Sequence, residues 1–547
     1  MPKIIIDGKE CEFKQGQTVI EVARENGISV PHFCWHPKLS VSGNCRICLV
    51  EVEKNPKLVI SCATLAADGM VVHTKNEKVV KARNSVMEMI LINHPLDCPI
   101  CDEAGECKLQ DYAFKYSVGE SRFTEEKNHK KKRVQLGPYV IFDQERCISC
   151  SRCIRFSDEI AKSPQLTFVQ RGDRVTIETP PGVSFDNPYT LNTVDICPVG
   201  ALTNADFRFK ARVWDMSKTN SICQGCARGC NIEIWTRNNE ILRLTPRKNE
   251  DVNSYWMCDF GRINTFKFVN DKNTRLAKVV NKTVENKIQS WEDGIKVLVD
   301  KIKQNKNHNI AFIASPFATL EDNYMMKKMI ASLAPNAKVY AMKYLKPELE
   351  DDILIRADRT PNSTGLNIIF GNNIEYFDNP TALNDKLVNE NIKFLFVADE
   401  HIDLTENLRN KLEYLVVFAS NKNKLTELAD LVFSISTYAE KNGTIVNFTK
   451  RLQRIKPAVK TNFNERSIMD EGVGRLEKFG TQWDKWGKAE LLDCLPAWKI
   501  YEKIISLVDK SKAYETAEDV FEEMTSSYAI FKDLDYDKIG ELGIQLQ

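Results

Sequence analysis

Fifteen of the seventeen cysteines in this 547-residue chain lie between Cys34 and Cys258, and with His94 they fall into four consecutive sets of four. The sets are Cys34, Cys45, Cys48 and Cys62; His94, Cys98, Cys101 and Cys107; Cys147, Cys150, Cys153 and Cys197; and Cys223, Cys226, Cys230 and Cys258. Thiols two or three residues apart on one turn, completed by a more distant partner, form the donor pattern of a metal site or an iron–sulfur cluster. Met1 leads straight into strand-like Lys3 to Ile6, which leaves no room for an export signal. So many cysteines in a chain without such a signal indicate a reducing compartment, where thiolates bind metal instead of forming disulfides.

The third set constrains the fold most. Cys147, Cys150 and Cys153 form a C-x2-C-x2-C run, and the distant Cys197 is followed by Pro198. In two-cluster bacterial ferredoxins each such run sends its last cysteine to the other cluster. The second cluster would need ligands at Ser157, Asn187, Thr190 and Thr193, none of which is a cysteine. All four ligands of one cluster are lost and all four of its neighbour kept. That pattern predicts a ferredoxin fold with a single four-iron centre, and a zinc ribbon would not produce it.

Residues 1 to about 75 read as a ubiquitin-like grasp of the kind used by two-iron ferredoxins. The expected strands are Lys3 to Ile6, Glu10 to Phe13, Cys48 to Glu53 and Met70 to Val72, around a helix from Thr18 to Asn26 with a Thr18–Glu21 capping box. The first set has ten, two and thirteen residues between its cysteines, a longer first loop than the plant-type spacing. Four thiolates so arranged suit a two-iron cluster or zinc, and the domain plan favours iron. A helix from Glu77 to Asn93, with Val79, Val86, Met89 and Ile90 on one side, delivers His94 to Cys98, Cys101 and Cys107. On residue chemistry alone this second set reads as structural zinc or as three thiols beside an unligated histidine. The C-x2-C-x3-C opening of the fourth set is similar to the four-iron motif at the start of molybdopterin oxidoreductases, with a zinc ribbon as the alternative.

Lys+Arg 76 against Asp+Glu 75 gives no general attraction to nucleic acid or anionic lipid. The basic run Lys130 to Arg133 is expected to be a solvated linker, and no apolar stretch approaches a bilayer span. Beyond about residue 273 cysteine disappears except for Cys494. Candidate strands Ile310 to Ala314, Asn367 to Phe370, Phe394 to Val397 and Leu415 to Phe418 alternate with helix-length stretches, the pattern of an α/β domain with a parallel sheet. Cys11 and Cys494 are expected to be buried apolar residues, and Trp35 and Trp256 to be packing beside the ligand segments.

In order, the four sets resemble the large iron–sulfur subunit of bacterial NADH:quinone oxidoreductase, respiratory complex I. The resemblance rests on the HFCWHP stretch His32 to Pro37, Gly43 to Cys48, His94 to Cys101 and Cys147 to Cys153, and covers about the first 270 residues closely. It implies that His94 is the fourth ligand of a four-iron cluster, reversing the reading of that set taken alone. It further implies one 2Fe-2S and three 4Fe-4S clusters relaying single electrons from a flavin/NADH-binding partner through the first, third and second sets toward quinone. The fourth set lies off that route in the family.

The implied domains are 1–76 (2Fe-2S, β-grasp), 77–137 (histidine-and-three-cysteine 4Fe-4S, with a linker), 138–215 (ferredoxin-like 4Fe-4S), 216–272 (4Fe-4S of the Mo/W-oxidoreductase type) and 273–547 (α/β, molybdopterin-oxidoreductase-like). Landmarks similar to the last fold are Ser315-Pro316, Thr319, Glu321, Glu440 to Thr444, Asn447, Arg451 and Gln453. In that fold a cysteine, selenocysteine or serine usually holds the metal; no cysteine lies between Cys258 and Cys494, serine stays open, and the roughly 290 residues after Cys258 are few for enclosing two pterins, so a degenerate scaffold without molybdopterin is expected. No Gly-rich nucleotide turn accompanies the clusters, so NADH and quinone sites are assigned to partners in the peripheral arm, on the cytoplasmic side of the bacterial inner membrane. The competing readings are an electron-transfer subunit of an NAD-dependent hydrogenase or formate dehydrogenase and, more remotely, a zinc-stapled scaffold.

Overall fold

Asp7 (φ 49°) and Gly8 (φ 83°) take up the left-handed backbone that a tight two-residue hairpin demands, and they join strands Lys3–Ile6 and Lys9–Glu12. The computed structural model describes residues 1–117, 119–282, 287–304, 309–463, 472–479, 491–509 and 513–547. They fall into two units, Met1–Trp214 and Asp215–Gln547. In the first unit, Lys3–Ile6 also pairs in parallel with Val71–His73, which pairs with Leu49–Val52 and through it with Val59–Ile60. The expected β-grasp is present, with strand ends shifted by a residue or two. Helix Val19–Glu25 lies in its grasp and buries Val19, Ile20, Val22 and Ala23. Glu21 Oε2 accepts from Thr18 N and Oγ1, both at 2.8 Å, so the capping box forms. Cys11 is fully buried in this core.

Helix Glu77–Leu91 forms where expected but presents a different face. It buries Val79, Arg83 and Met87, whereas Met89 is 69% exposed. The buried stripe is concealed in the sequence because its middle member is an arginine. Arg83 donates to Leu49 O and Thr74 O, each at 2.9 Å, and to Tyr116 Oη at 3.2 Å. The basic run is exposed yet tied down: Lys132 pairs with Asp97 at 2.7 Å and with Glu145, and Lys130 Nζ donates to Val175 O at 2.8 Å.

Strands Val134–Gln135, Val140–Phe142 and Leu202–Asn204 form one small sheet. Beside it stand helix Arg152–Arg155, widening over Phe156–Ile160, and helix Asn192–Ile196. Ser157, Asn187, Thr190 and Thr193 are all buried and hydrogen-bonded. Ser157 Oγ donates to Ser163 O, Asn187 Nδ2 to Gln165 Oε1 at 2.8 Å, and Thr193 Oγ1 to Thr190 O at 2.7 Å. Polar side chains fill the positions where the second ferredoxin cluster would have its ligands.

The second unit opens with an antiparallel sheet of Ser217–Ile222, Asn231–Arg237 and Glu240–Pro246. It continues into an eight-stranded sheet with six parallel strands, in spatial order Glu375–Phe377, Lys338–Met342, Ile310–Ala314, Phe394–Val397, Tyr414–Ala419 and Leu431–Ser434. Three candidate strands are confirmed. The fourth is corrected: Asn367 to Phe370 belongs to helix Ser363–Phe370. A four-residue apolar run does not separate a buried strand from a buried helix turn, and Leu366, Ile369 and Phe370 give this helix its buried face.

Helices Ala497–Ser506 and Ala517–Ser527 pack into the same core as the sheet, and Ile544–Gln545 pairs with Arg451–Ile455. The described C-terminal residues thus complete the core. Cys494 is buried as expected, beside Ser436 Oγ at 3.6 Å.

The landmarks in this half are internal ties. Glu321 accepts from Thr444 N at 2.9 Å, Thr444 Oγ1 at 2.8 Å and Tyr536 Oη at 2.9 Å. Burial nevertheless raises its carboxyl from 4.5 to about 6. Because the folded value exceeds the unfolded one, this group's stabilisation is complete below pH 4.5 and is lost as pH rises through 6, about 2 kcal/mol in all. Glu321→Gln should therefore gain about 2 kcal/mol on the parent between pH 4.5 and 7.5 in urea unfolding. A difference that does not vary with pH would contradict the burial of an ionising carboxyl.

Candidate metal centres

The first set is assembled from three loops of the β-grasp. Gly43 (φ 65°) and Arg46 (φ 58°) bend the loop that carries Cys45 and Cys48. Cys34 N donates to Cys45 Sγ at 3.5 Å. The thiols pair off: Cys34 with Cys45, and Cys48 with Cys62, each pair within mutual hydrogen-bonding reach. Within each pair the hydrogen bond holds one thiol down, Cys34 and Cys48, and pushes the other up. Two pairs of sulfurs are what a two-iron rhombus needs, with two thiolates on each iron.

His94, Cys98, Cys101 and Cys107 line one small cavity together with Arg146 and Gly200. The turn Cys98–Ile100 places Cys98 and Cys101, and Cys107 precedes helix Lys108–Tyr116. Burial, with Arg146 second, lowers the His94 imidazole to about 4, so it is neutral at pH 7. Its buried Nδ1 has no hydrogen-bond partner among the described residues. A neutral ring with an unpartnered buried nitrogen, lining the same cavity as three thiols, is a ligand's environment.

In the third set, Ser149 (φ 53°) and Ser151 (φ 61°) curl the backbone between the cysteines. Cys147, Cys150, Cys153 and Cys197 then share one cavity walled by Phe142, Ile177 and Leu202. Burial pushes the Cys147 thiol up to about 11 and Cys153 well above its usual 9.0. In the fourth set, Cys223 and Cys230 face each other across a hairpin mouth, with Cys223 N donating to Cys230 O at 2.9 Å. Cys258 caps helix Asp259–Asn264, its Sγ accepting from Gly261 N at 3.4 Å. Burial lifts Cys258 to about 11 as well.

These surroundings fit iron–sulfur groups. The sulfurs of the second and third sets stand around cavities. Two glycines hold the space open. A Cβ on Gly200 would lie 2.3 Å from Cys101 Sγ, and one on Gly261 would lie 2.9 Å from Cys223 Sγ.

Within Met1–Trp214 the sets are locked together. Arg152 is 4% exposed and donates to Trp35 O of the first set's loop and to Ile196 O, at 2.9 Å, beside Cys197. Arg155 donates to Cys34 O and Cys150 O, and Asn44 Nδ2 to Ser149 O at 2.9 Å. After Cys197, Pro198 O accepts from Cys107 Sγ at 3.9 Å, and Gly200 lies against Cys101. The third set thus touches the first on one side and the second on the other. Arg152, Arg155 and Gly200 escaped the sequence reading, although all three lie in or next to the cysteine motifs. Trp35 and Trp256 are buried, as expected of packing.

Family models match in the same order as the sets. Residues 3–77 match a 2Fe-2S iron-sulfur cluster binding domain, and 83–122 match the NADH-ubiquinone oxidoreductase-G iron-sulfur binding region. Residues 137–203 match the ferredoxin-like domain of NADH-quinone oxidoreductase subunit 3, 216–265 the NDSU1/NuoG-like 4Fe-4S domain, and 368–470 molybdopterin oxidoreductase. Fold and sites together define an iron–sulfur protein joined to a molybdopterin-oxidoreductase-like half.

The G subunit of the NADH-quinone oxidoreductase of Rickettsia felis is 42% identical over 337 residues, 61% of this chain and 50% of that one. The NADH-ubiquinone oxidoreductase 75 kDa subunit of Reclinomonas americana is 33% identical over 526 residues, 88% of this chain and 74% of that one. The chain belongs to the family of these two proteins. Its match spans about half the length of the Rickettsia relatives. A chain of an NAD+-reducing [NiFe]-hydrogenase is 30% identical, with 39% of this chain and 91% of that chain covered and a TM-score of 0.36.

Gly200→Ala would put a methyl group into the space of the Cys101 sulfur. The expected outcome is loss of about four iron atoms per chain, measured by elemental analysis after anaerobic purification. Unchanged iron content would show that this glycine does not guard a cluster.

Proposed function

We propose that the chain is the electron-transferring subunit of an NADH:quinone oxidoreductase, accepting single electrons from a flavin-bearing partner and passing them toward quinone-side subunits. The contact of the third sulfur set with both of the others in Met1–Trp214 carries this reading. In it, Cys34, Cys45, Cys48 and Cys62 would hold a 2Fe-2S cluster. His94, Cys98, Cys101 and Cys107, then Cys147, Cys150, Cys153 and Cys197, then Cys223, Cys226, Cys230 and Cys258 would hold three 4Fe-4S clusters. Bound iron–sulfur clusters take up and release one electron at a time. The domains are 1–76, 77–137, 138–215 and 216–272, followed by 273–547.

The protein's own part is to exclude water, fix the sulfurs and connect the sites. Buried walls such as Phe142 and Ile177 keep solvent from the third set. Arg152 and Arg155 bring positive charge to Cys34 and Cys150 and so favour their thiolate forms. In this reading electrons enter at the first set and leave from the second, a route supported by the contacts of the third set with both.

We further infer that Asp215–Gln547 carries no molybdopterin: the large cleft in that unit is lined by no cysteine, and the hydroxyls of its serines are engaged, Ser315 Oγ accepting from Phe317 N at 3.2 Å, Ser420 Oγ donating to Glu400 at 2.7 Å and Ser436 Oγ lying 3.6 Å from Cys494 Sγ. No helix among the described residues is long and apolar enough to cross a membrane. That fits attachment through partner subunits to the cytoplasmic face of the membrane. The polar filling at Ser157, Asn187, Thr190 and Thr193 favours this role over that of a hydrogenase subunit with a second ferredoxin cluster.

Cys150→Ala should lower NADH-to-quinone activity by at least about 100-fold in the assembled complex, with the partner subunits still co-purifying and one low-temperature EPR signal missing. Full activity with that signal gone would refute the relay. Zinc without iron in anaerobically purified protein would refute the cluster assignments.

A further inference from the structure

Chain order along the parallel sheet reverses between Ile310–Ala314 and Phe394–Val397, because later strands are added outward on both sides of that pair. The loops leaving the two strands at their carboxyl ends therefore turn apart and open a crevice, the usual ligand position in such sheets. A cleft of about 430 Å³ lies there, within the range of small-molecule sites. Ser315 and Phe317 after the first strand and Ala398 and His401 after the second are in its wall. Three rings gather at these loops. Phe317 lies 4.6 Å from His401 and 5.5 Å from Tyr344, each at 59°. Tyr344 is anchored by donating to the buried carboxylate Asp399 at 2.8 Å.

The charges beside these rings are unequally satisfied. Leu345 and Asp358 form an antiparallel bridge, with Lys346 N donating to Ala357 O at 2.8 Å and Arg359 N to Tyr344 O at 2.9 Å. Strand alternation puts Tyr344, Lys346 and Arg359 on one face of this bridge, and all three line the cleft. Arg359 rests 4.7 Å over the Phe260 ring, donates to Arg356 O at 3.4 Å and brings positive charge to Cys223 and Cys258, and among the described residues neither cation pairs with a carboxylate. The acids in the lining are already neutralised or hydrogen-bonded. Asp322 accepts from Lys441 Nζ at 2.6 Å, and Glu400 accepts from Ser420 N, Ser420 Oγ and Asn421 N at 2.8, 2.7 and 3.2 Å. The lining offers aromatic faces next to two cations without a carboxylate partner, which is complementary to a flat heteroaromatic ring carrying an anionic group.

We propose that this crevice is a binding site for a mononucleotide, the base against Phe317, Tyr344 and His401 and the phosphate at Lys346 and Arg359. Gln224 and Gly225, between Cys223 and Cys226, form part of the same wall, so occupancy is felt at the fourth sulfur set.

Titration calorimetry on the anaerobically purified full chain, with AMP, GMP, adenosine and inorganic phosphate as probes, tests the proposal. At least one of the two nucleotides should bind saturably at one site per chain, with adenosine and phosphate each at least about tenfold weaker than AMP if AMP binds. Lys346→Glu changes an exposed side chain, so folding is preserved; it should weaken nucleotide binding at least about tenfold while leaving adenosine unchanged. Phe317→Ala should weaken the nucleotide and adenosine together. Failure of both nucleotides to bind, binding indifferent to both substitutions, or release of a bound pterin on denaturing the protein would overturn it.

Discussion

Burying a thiol makes it harder to charge, yet only the thiolate binds iron. Every candidate sulfur of the third set lives under that tension, in a cavity where burial raises the thiols above their solution values. The tension is resolved when metal displaces the proton, since binding to deprotonated sulfur is itself a source of folding free energy. The surrounding structure is accordingly arranged for the filled state. Backbone N–H groups point at sulfur from Ser149, Gly225 and Gly261, and a buried guanidinium at Arg152 lies among the sulfurs of two sets.

The same requirement explains why distant loops must meet. A guanidinium out of water needs its donors satisfied, and Arg152 meets part of that need at Trp35 O and Ile196 O. Satisfying one side chain pins the β-grasp loop to the ferredoxin-like part. In the second unit, amides do the equivalent work. Gln453 Nε2 donates to Gly229 O at 2.9 Å, and Asn447 Nδ2 to Arg228 O at 3.1 Å. The loop preceding Cys230 is thereby held by residues more than two hundred positions later.

Much of this was legible in the chain because cysteine spacing and turn chemistry act locally. The β-grasp hairpin follows from Asp7-Gly8, and the capping box from Thr18 and Glu21. The lost cluster shows itself through Ser157, Asn187, Thr190 and Thr193. What escaped depends on neighbours that are remote in sequence. Arg83 counts as a polar residue in any periodic pattern, yet carbonyls of Leu49 and Thr74 make it the centre of a buried face. Asn367 to Phe370 has the composition of a strand, but its environment is that of a helix. Nothing in a linear reading announces that Gly200 must remain without a side chain for the sake of Cys101, or that strand order reverses beside Ile310–Ala314.

The hydroxyls and amides that fill the former cluster position have a consequence for traffic. A ferredoxin with both centres is a junction, because a charge arriving at one can move on to the other. Here that branch ends in groups that can be neither oxidised nor reduced at biological potentials. Under the proposed relay the filling works as insulation: a charge that reaches the third set finds no second centre beside it, and a fork becomes a through-line.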